Sequence, residues 1–150
     1  MRRLISRIRL GWLLLALGLV LVVRQWVWAP ALITGGSMQP TLRGGHLAGI
    51  NKLAYRRHPP RRGDIVAIST GLGLIVKRIL GLPGEEIAMR DGVVYVNGQP
   101  LAEPYVRFPG NGTTAPGRLG PNRFVVAGDY RPASIVAVVS RDRIVGSLVF

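Results

Sequence analysis

Leu10–Val23 is the one long apolar run in the chain, and it carries no charge. Arg2, Arg3, Arg7 and Arg9 precede it; Arg24, Trp26 and Trp28 follow. As helix the run spans about 21 Å at 1.5 Å per residue. A bilayer core needs about 30 Å. Extension to Trp28 gives roughly 28 Å, with Arg24 snorkelling to the interface and both tryptophans in the interfacial belt. The expectation is a single transmembrane anchor over residues 1–28. The leading arginines keep the N-terminus cytoplasmic and place residues 29–150 on the extracytoplasmic side of the cell membrane. A cleavable signal peptide competes with this reading, since Ala29-Pro30-Ala31 mimics an A-x-A site. The proline between the alanines and the bulky Trp28 make that site poor.

After Pro30 the pattern changes to short apolar runs punctuated by turns. Leu47–Leu53 reads as a strand. Asp64–Ser69 and Leu74–Leu80 read as a hairpin across Gly71-Leu72-Gly73. Ile87–Met89 and Val93–Val96 form a second hairpin across Asp91-Gly92, and Asn97-Gly98 turns the chain again. Pro104–Pro121, rich in Gly and Pro, reads as loop. Phe124–Ala127, Ile135–Val139 and Ile144–Phe150 complete the series. The expected fold class is mainly β: an antiparallel β-sheet domain behind one N-terminal transmembrane helix.

The length allows one domain with a modest core. The chain has no cysteine, so disulfides and zinc–thiolate sites are excluded. The net charge is +13, of which five positive charges lie before residue 29. The excess on the remainder suits anionic lipid headgroups or a solvated basic surface. No aromatic platform or recognition helix accompanies it, so nucleic acid is not an expected partner.

Lysine is scarce. Of the twenty basic residues only Lys52 and Lys77 are lysines. Arginine keeps its proton in proteins, whereas lysine can lose it. Lys77 lies in an apolar strand, where alternation puts Ile75 and Ile79 on its face. Such surroundings favour the neutral amine, which can take a proton from a hydroxyl. The alternative is a lysine that snorkels to water from a half-buried strand. A candidate hydroxyl is Ser37 in Gly35-Gly36-Ser37-Met38. The two glycines let backbone approach the serine closely and free its N–H to face an oxyanion. The duller reading is a glycine-rich turn without chemistry. His46 and His58 lack a carboxylate to orient them and read as surface residues. Neither a metal nor another cofactor is expected.

Three stretches together resemble bacterial type I signal peptidase, a serine–lysine peptidase family. Gly36-Ser37-Met38-Gln39-Pro40-Thr41-Leu42 resembles its nucleophile box. Val76-Lys77-Arg78-Ile79-Leu80-Gly81-Leu82-Pro83-Gly84 resembles its base box, and Gly128-Asp129-Tyr130-Arg131-Pro132-Ala133-Ser134 its C-terminal box. The resemblance covers most of residues 35–149. It implies Ser37 as nucleophile, Lys77 as general base and Ser134 as the hydroxyl that orients the base. Met38, Gly35 and Gly36 would support the substrate pocket and oxyanion site. It implies a membrane-anchored endopeptidase that removes signal peptides from secretory precursors after small residues, with those peptides and the bilayer as partners. The insert at about 87–122 is short, so the family's second β-domain should be minimal. The chain departs from the family in its last box. Val136, Ala137 and Val138 stand where an aspartate, a serine and an arginine are usual, and Tyr130 replaces an asparagine. Different support around the base is therefore expected, with Ser140-Arg141-Asp142 a candidate substitute. The alternative is a catalytically weakened, membrane-anchored β-domain that binds peptide or lipid.

Overall fold

The computed structural model describes residues 2–150, without the side chains of 2–8 and 24–26. A single helix, α1 (Arg2–Trp26), leads into eleven strands. These are β1 (Trp28–Leu32), β2 (Leu47–Asn51), β3 (Ile65–Thr70), β4 (Gly73–Gly81), β5 (Glu86–Arg90), β6 (Val93–Val96), β7 (Gln99–Pro100), β8 (Thr114–Arg118), β9 (Arg123–Ala127), β10 (Ala137–Ser140) and β11 (Ile144–Val149). They form a seven-stranded sheet in the order β1-β2-β11-β3-β4-β9-β10 and a four-stranded sheet in the order β7-β6-β5-β8. All pairings are antiparallel. The expected mainly β, antiparallel class is therefore what the chain adopts.

Turn chemistry fixes the smaller sheet. Asp91 and Gly92 take φ of 47° and 77°, and Asn97 and Gly98 take 51° and 81°. Two successive residues with positive φ match the right-handed twist of the strands they join. The Pro104–Pro121 stretch, expected to be loop throughout, contains β8. Its residues, Thr-Ala-Pro-Gly-Arg, carry no strand pattern and are exposed along their whole length. β8 exists because it pairs with β5, between Glu86 and Arg118 at one end and Met89 and Thr114 at the other.

Three apolar clusters hold the sheets together. Ile33, Met38, Leu42, Ala48, Ile50, Ile65, Ala67 and Leu148 form the first, and Ala29 and Ala31 pack against it from β1. Val66, Ile68, Ile79, Phe124, Val126 and Ile144 form the second. Leu80, Ile87, Val94, Leu119, Val125 and Ala127 form the third, where the two sheets meet.

The helix ends at Trp26, short of the Trp28 boundary expected for the anchor, because Trp28 already pairs with Asn51 in the sheet. Only Val27 separates helix from strand, and its carbonyl accepts the Lys52 N–H at 2.9 Å. Among the described residues, no helix is long and apolar enough to cross a membrane. The expected anchor falls partly on 2–8 and 24–26, including Arg24 and Trp26, whose side chains lie outside the described residues. Within the described stretch the apolar side chains stand exposed, from Leu10 at 57% to Val23 at 41%.

Candidate active site

The site is built where the segment after β1 crosses the middle of the large sheet. Ser37 opens a turn that follows Gly35-Gly36, and Met38 anchors that turn in the first core cluster at 2% exposure. The Leu42 N–H donates to the Met38 carbonyl at 2.9 Å, which closes the turn. Lys77 lies in the middle of β4, paired with Val66 of β3. Ser134 follows a short 3-10 turn, Arg131–Ala133, beyond β9. The chain brings the three together from separations of 40 and 57 residues. The Lys77 Nζ stands 3.0 Å from the Ser37 Oγ and 3.1 Å from the Ser134 Oγ.

The hydrogen bonds around Ser134 set its polarity. The Gly128 N–H donates to the Ser134 Oγ at 2.6 Å. A hydroxyl has two acceptor positions and one proton. With one acceptor position taken by Gly128, the other is available to an amine N–H of Lys77. A neutral lysine that donates there can turn its lone pair toward Ser37. Partial burial lowers the Lys77 pKa, through desolvation of the ammonium. The desolvating surface differs from the expected one in detail. Ile79 is wholly buried in the second cluster, but Ile75 is 41% exposed at the cleft.

The close approach of backbone, expected at Gly35 and Gly36, occurs instead at Gly128. A Cβ at Gly35 would meet nothing within 4 Å, and one at Gly36 only the Gln39 side chain at 3.4 Å. A Cβ at Gly128 would collide with the Ser37 carbonyl and come within 2.7 Å of the Ser134 Oγ. The Tyr130 N–H donates to that same Ser37 carbonyl at 2.9 Å. The segment 128–134 therefore fixes both serines at once, and its glycine gives them room.

A cleft of about 220 Å³ runs beside the two catalytic candidates. Ala31–Gly35 form one wall and Leu74–Lys77 the other, with Ser37, Met38, Ile50 and Ala67 completing it. Met38 and Gly35 thus lie where a substrate pocket was expected. Gly36 does not line the cleft; its carbonyl accepts the Gln39 N–H at 3.1 Å. His46 and His58 are exposed, and His58 packs edge-on against Tyr55.

Sequence reasoning missed the charge network behind the dyad. The Arg78 guanidinium donates to both carboxylate oxygens of Asp129, from Nε at 2.9 Å and Nη2 at 2.6 Å. It also donates to the Gly63 carbonyl at 2.9 Å, and the Thr41 hydroxyl donates to Asp129 at 2.5 Å. One pair of side chains so joins the Ser37 turn, β4 and the segment bearing Ser134. The signal was present: Arg78 follows Lys77 directly, and Asp129 lies in the third quoted box. Ser140-Arg141-Asp142 does not take this place. Arg141 donates instead to the carbonyls of Ile144 and Tyr55.

Comparison with known proteins adds an independent finding. The family model described as "Signal peptidase, peptidase S26" matches residues 6–150. Signal peptidase I T of Bacillus subtilis (strain 168) is 34% identical, over 92% of this chain and 80% of its own length. Signal peptidase I of Leptolyngbya laminosa is 34% identical, over 90% of this chain and 73% of its own. A solved signal peptidase I from Enterococcus faecalis V583 is 27% identical, with a TM-score of 0.49 over 60% of this chain and 97% of that one.

Proposed function

The chain belongs to the signal peptidase family, peptidase S26, and from that premise we propose that Ser37 and Lys77 are the nucleophile and general base with which it cuts signal peptides from precursor proteins. The observation that carries this reading is the 3.0 Å approach of the Lys77 amine to the Ser37 hydroxyl. Neutral Lys77 takes the Ser37 proton as the Ser37 Oγ bonds to the scissile carbonyl carbon. The carbonyl oxygen becomes an oxyanion, to which the Ser37 backbone N–H would donate. The Lys77 ammonium returns its proton to the leaving amine as the peptide bond breaks. An ester on Ser37 remains. Water then attacks it, Lys77 takes the water proton, and Ser37 is released with its own proton restored.

Cleavage after small residues is part of the proposal, with the substrate strand lying beside the cleft wall Ala31–Gly35. Alternate side chains of such a peptide would enter the cleft.

Membrane anchoring by α1 is part of the same proposal. α1 is 25 residues long, about 37 Å of helix, and its described apolar side chains stand exposed. Cleavage after Ala31 as a signal peptide would cut β1, remove Ala29 and Ala31 from the first cluster, and take one wall from the cleft. A retained helix keeps all three. The active site then works on the extracytoplasmic side, close to the membrane where a precursor's cleavage site emerges.

The test is cleavage of a secretory precursor by purified protein in detergent. Ser37→Ala and Lys77→Arg are each expected to abolish it. Lys77→Arg is the sharper, since it keeps the charge and removes the deprotonation. Full activity in either variant would sink the dyad. Equal, negligible processing by wild type and both variants would favour a binding domain.

A further inference from the structure

The catalytic candidates are held by the large sheet, yet the side chains that lock the segment carrying Ser134 come from a connection between strands of the smaller one. Glu103 lies between β7 and β8, outside every stretch that resembles the family boxes. Its carboxylate pairs with the Arg131 guanidinium, and both side chains are nearly sealed from solvent, at 8% and 4% exposure. A buried pair of this kind is stable only if its geometry is fixed by further hydrogen bonds.

Those bonds lead toward Lys77 along two arms. On one, the Arg131 Nε donates to the Gly128 carbonyl at 3.0 Å, and the Ser134 N–H donates to the Arg131 carbonyl at 3.1 Å. Gly128 in turn donates its N–H to the Ser134 Oγ, the hydroxyl that meets Lys77. On the other, the Tyr105 hydroxyl donates to the same Glu103 oxygen at 3.0 Å. The Tyr105 ring lies 3.9 Å from the Arg78 guanidinium carbon, one residue from Lys77. The segment beyond Ser134, Ile135–Val139, brings no charged group of its own. Without Glu103, buried Arg131 would lose its one carboxylate partner, and its Nη1 is already without one.

We propose that Glu103 is a positioning residue: through Arg131 and Tyr105 it holds Ser134 and the base strand so that the Lys77 amine stays aimed at Ser37. This rests on the Ser37–Lys77 reading above. It gives the short second sheet a catalytic purpose, since that sheet delivers Glu103 and Tyr105 to the back of the site.

The test is a double-mutant cycle on the full chain in detergent, with a peptide spanning an A-x-A site. The proteins are wild type, Glu103→Gln, Ser134→Ala, the double variant and Lys77→Arg. Glu103→Gln is expected to lower kcat by about 10- to 100-fold and leave KM nearly unchanged, as misaimed catalytic groups do. In the Ser134→Ala background the same change is expected to cost at least about threefold less than in wild type, because the arm through Ser134 is already gone and only the Tyr105 arm remains. A folded Glu103→Gln protein with wild-type kcat overturns the proposal. So does an equal fold-loss in both backgrounds, which marks a structural role only. If Glu103→Gln does not fold, Arg131→Lys enters the same cycle under the same two criteria. It keeps the charge beside Glu103 but lacks the fork that reaches the Gly128 carbonyl as well. An active Lys77→Arg, or an inert wild type, defeats the dyad. An inactive Lys77→Arg beside an unaffected Glu103→Gln defeats only the brace.

Discussion

A lysine serves as a base only in its neutral form, so its surroundings decide the pH at which the site works. Desolvation lowers the Lys77 pKa from its ordinary 10.5, and no carboxylate lies among its hydrogen-bond partners to restore the charge. The fraction of neutral amine rises as pH rises through that lowered value and is lost as pH falls below it. The profile of kcat/KM against pH should therefore show an acid limb with its midpoint below 10.5. Ser134→Ala should lower kcat evenly across the profile while the limb persists, since it removes an orienting acceptor and leaves the burial in place. A limb centred at or above the ordinary lysine value would contradict the role given to burial. The candidates, though not their roles, were legible in the sequence. Two lysines among twenty basic residues pointed at Lys77, and the glycine–serine turn pointed at Ser37.

At the scale of elements, charge joins the Ser37 turn, β4 and the 128–134 segment, because Thr41 and Arg78 both hydrogen-bond Asp129. Asp129 is 1% exposed in its side chain and Arg78 12%. Breaking a buried pair strands the remaining charge, at a cost of about 3 kcal/mol or more. Asp129→Asn should thus lower Tm by roughly 10 °C for a domain of this size. Glu85→Gln should do far less, because Arg62 and Glu85 are 28% and 19% exposed and water replaces the lost partner. Equal shifts from the two substitutions would show that the Arg78–Asp129 pair is not what joins the elements. The sequence made the hairpins readable, because Asp91-Gly92 and Asn97-Gly98 act over two residues. It did not make the ion pairs readable. Arg78 and Asp129 are 51 residues apart, Glu103 and Arg131 28; the first pairing depends on β4 lying beside β9, the second on how the two sheets meet. β8 was invisible for the same reason: its existence lies in its partner β5, not in its own residues.

For the whole molecule, the question is what α1 contributes besides location. Among the described residues, none of the three apolar clusters includes one from α1, whereas Ala29 and Ala31 of β1 pack against the first of them. β1 also covers the edge of β2 with a five-residue ladder and walls the cleft. The boundary between dispensable and required chain therefore falls at Val27, within a single residue. A protein comprising residues 28–150 should keep the cooperative unfolding of the full chain and cleave a soluble A-x-A peptide at the same rate. Removal of β1 as well, leaving 33–150, should cost both the fold and the cleavage, since it exposes an unpaired strand edge and opens the core. The two truncations should part again on a precursor embedded in vesicles. There an α1 anchored as proposed would hold enzyme and substrate in one bilayer, and loss of a tether typically forfeits about 10²- to 10⁴-fold in effective concentration. The 28–150 protein should accordingly process that precursor at least about 100-fold more slowly than the full chain, with peptide cleavage intact. Equal processing of embedded precursor by both proteins would show that α1 is not what brings the site to its substrate. Lost peptide cleavage in 28–150 would show that the helix is part of the catalytic fold.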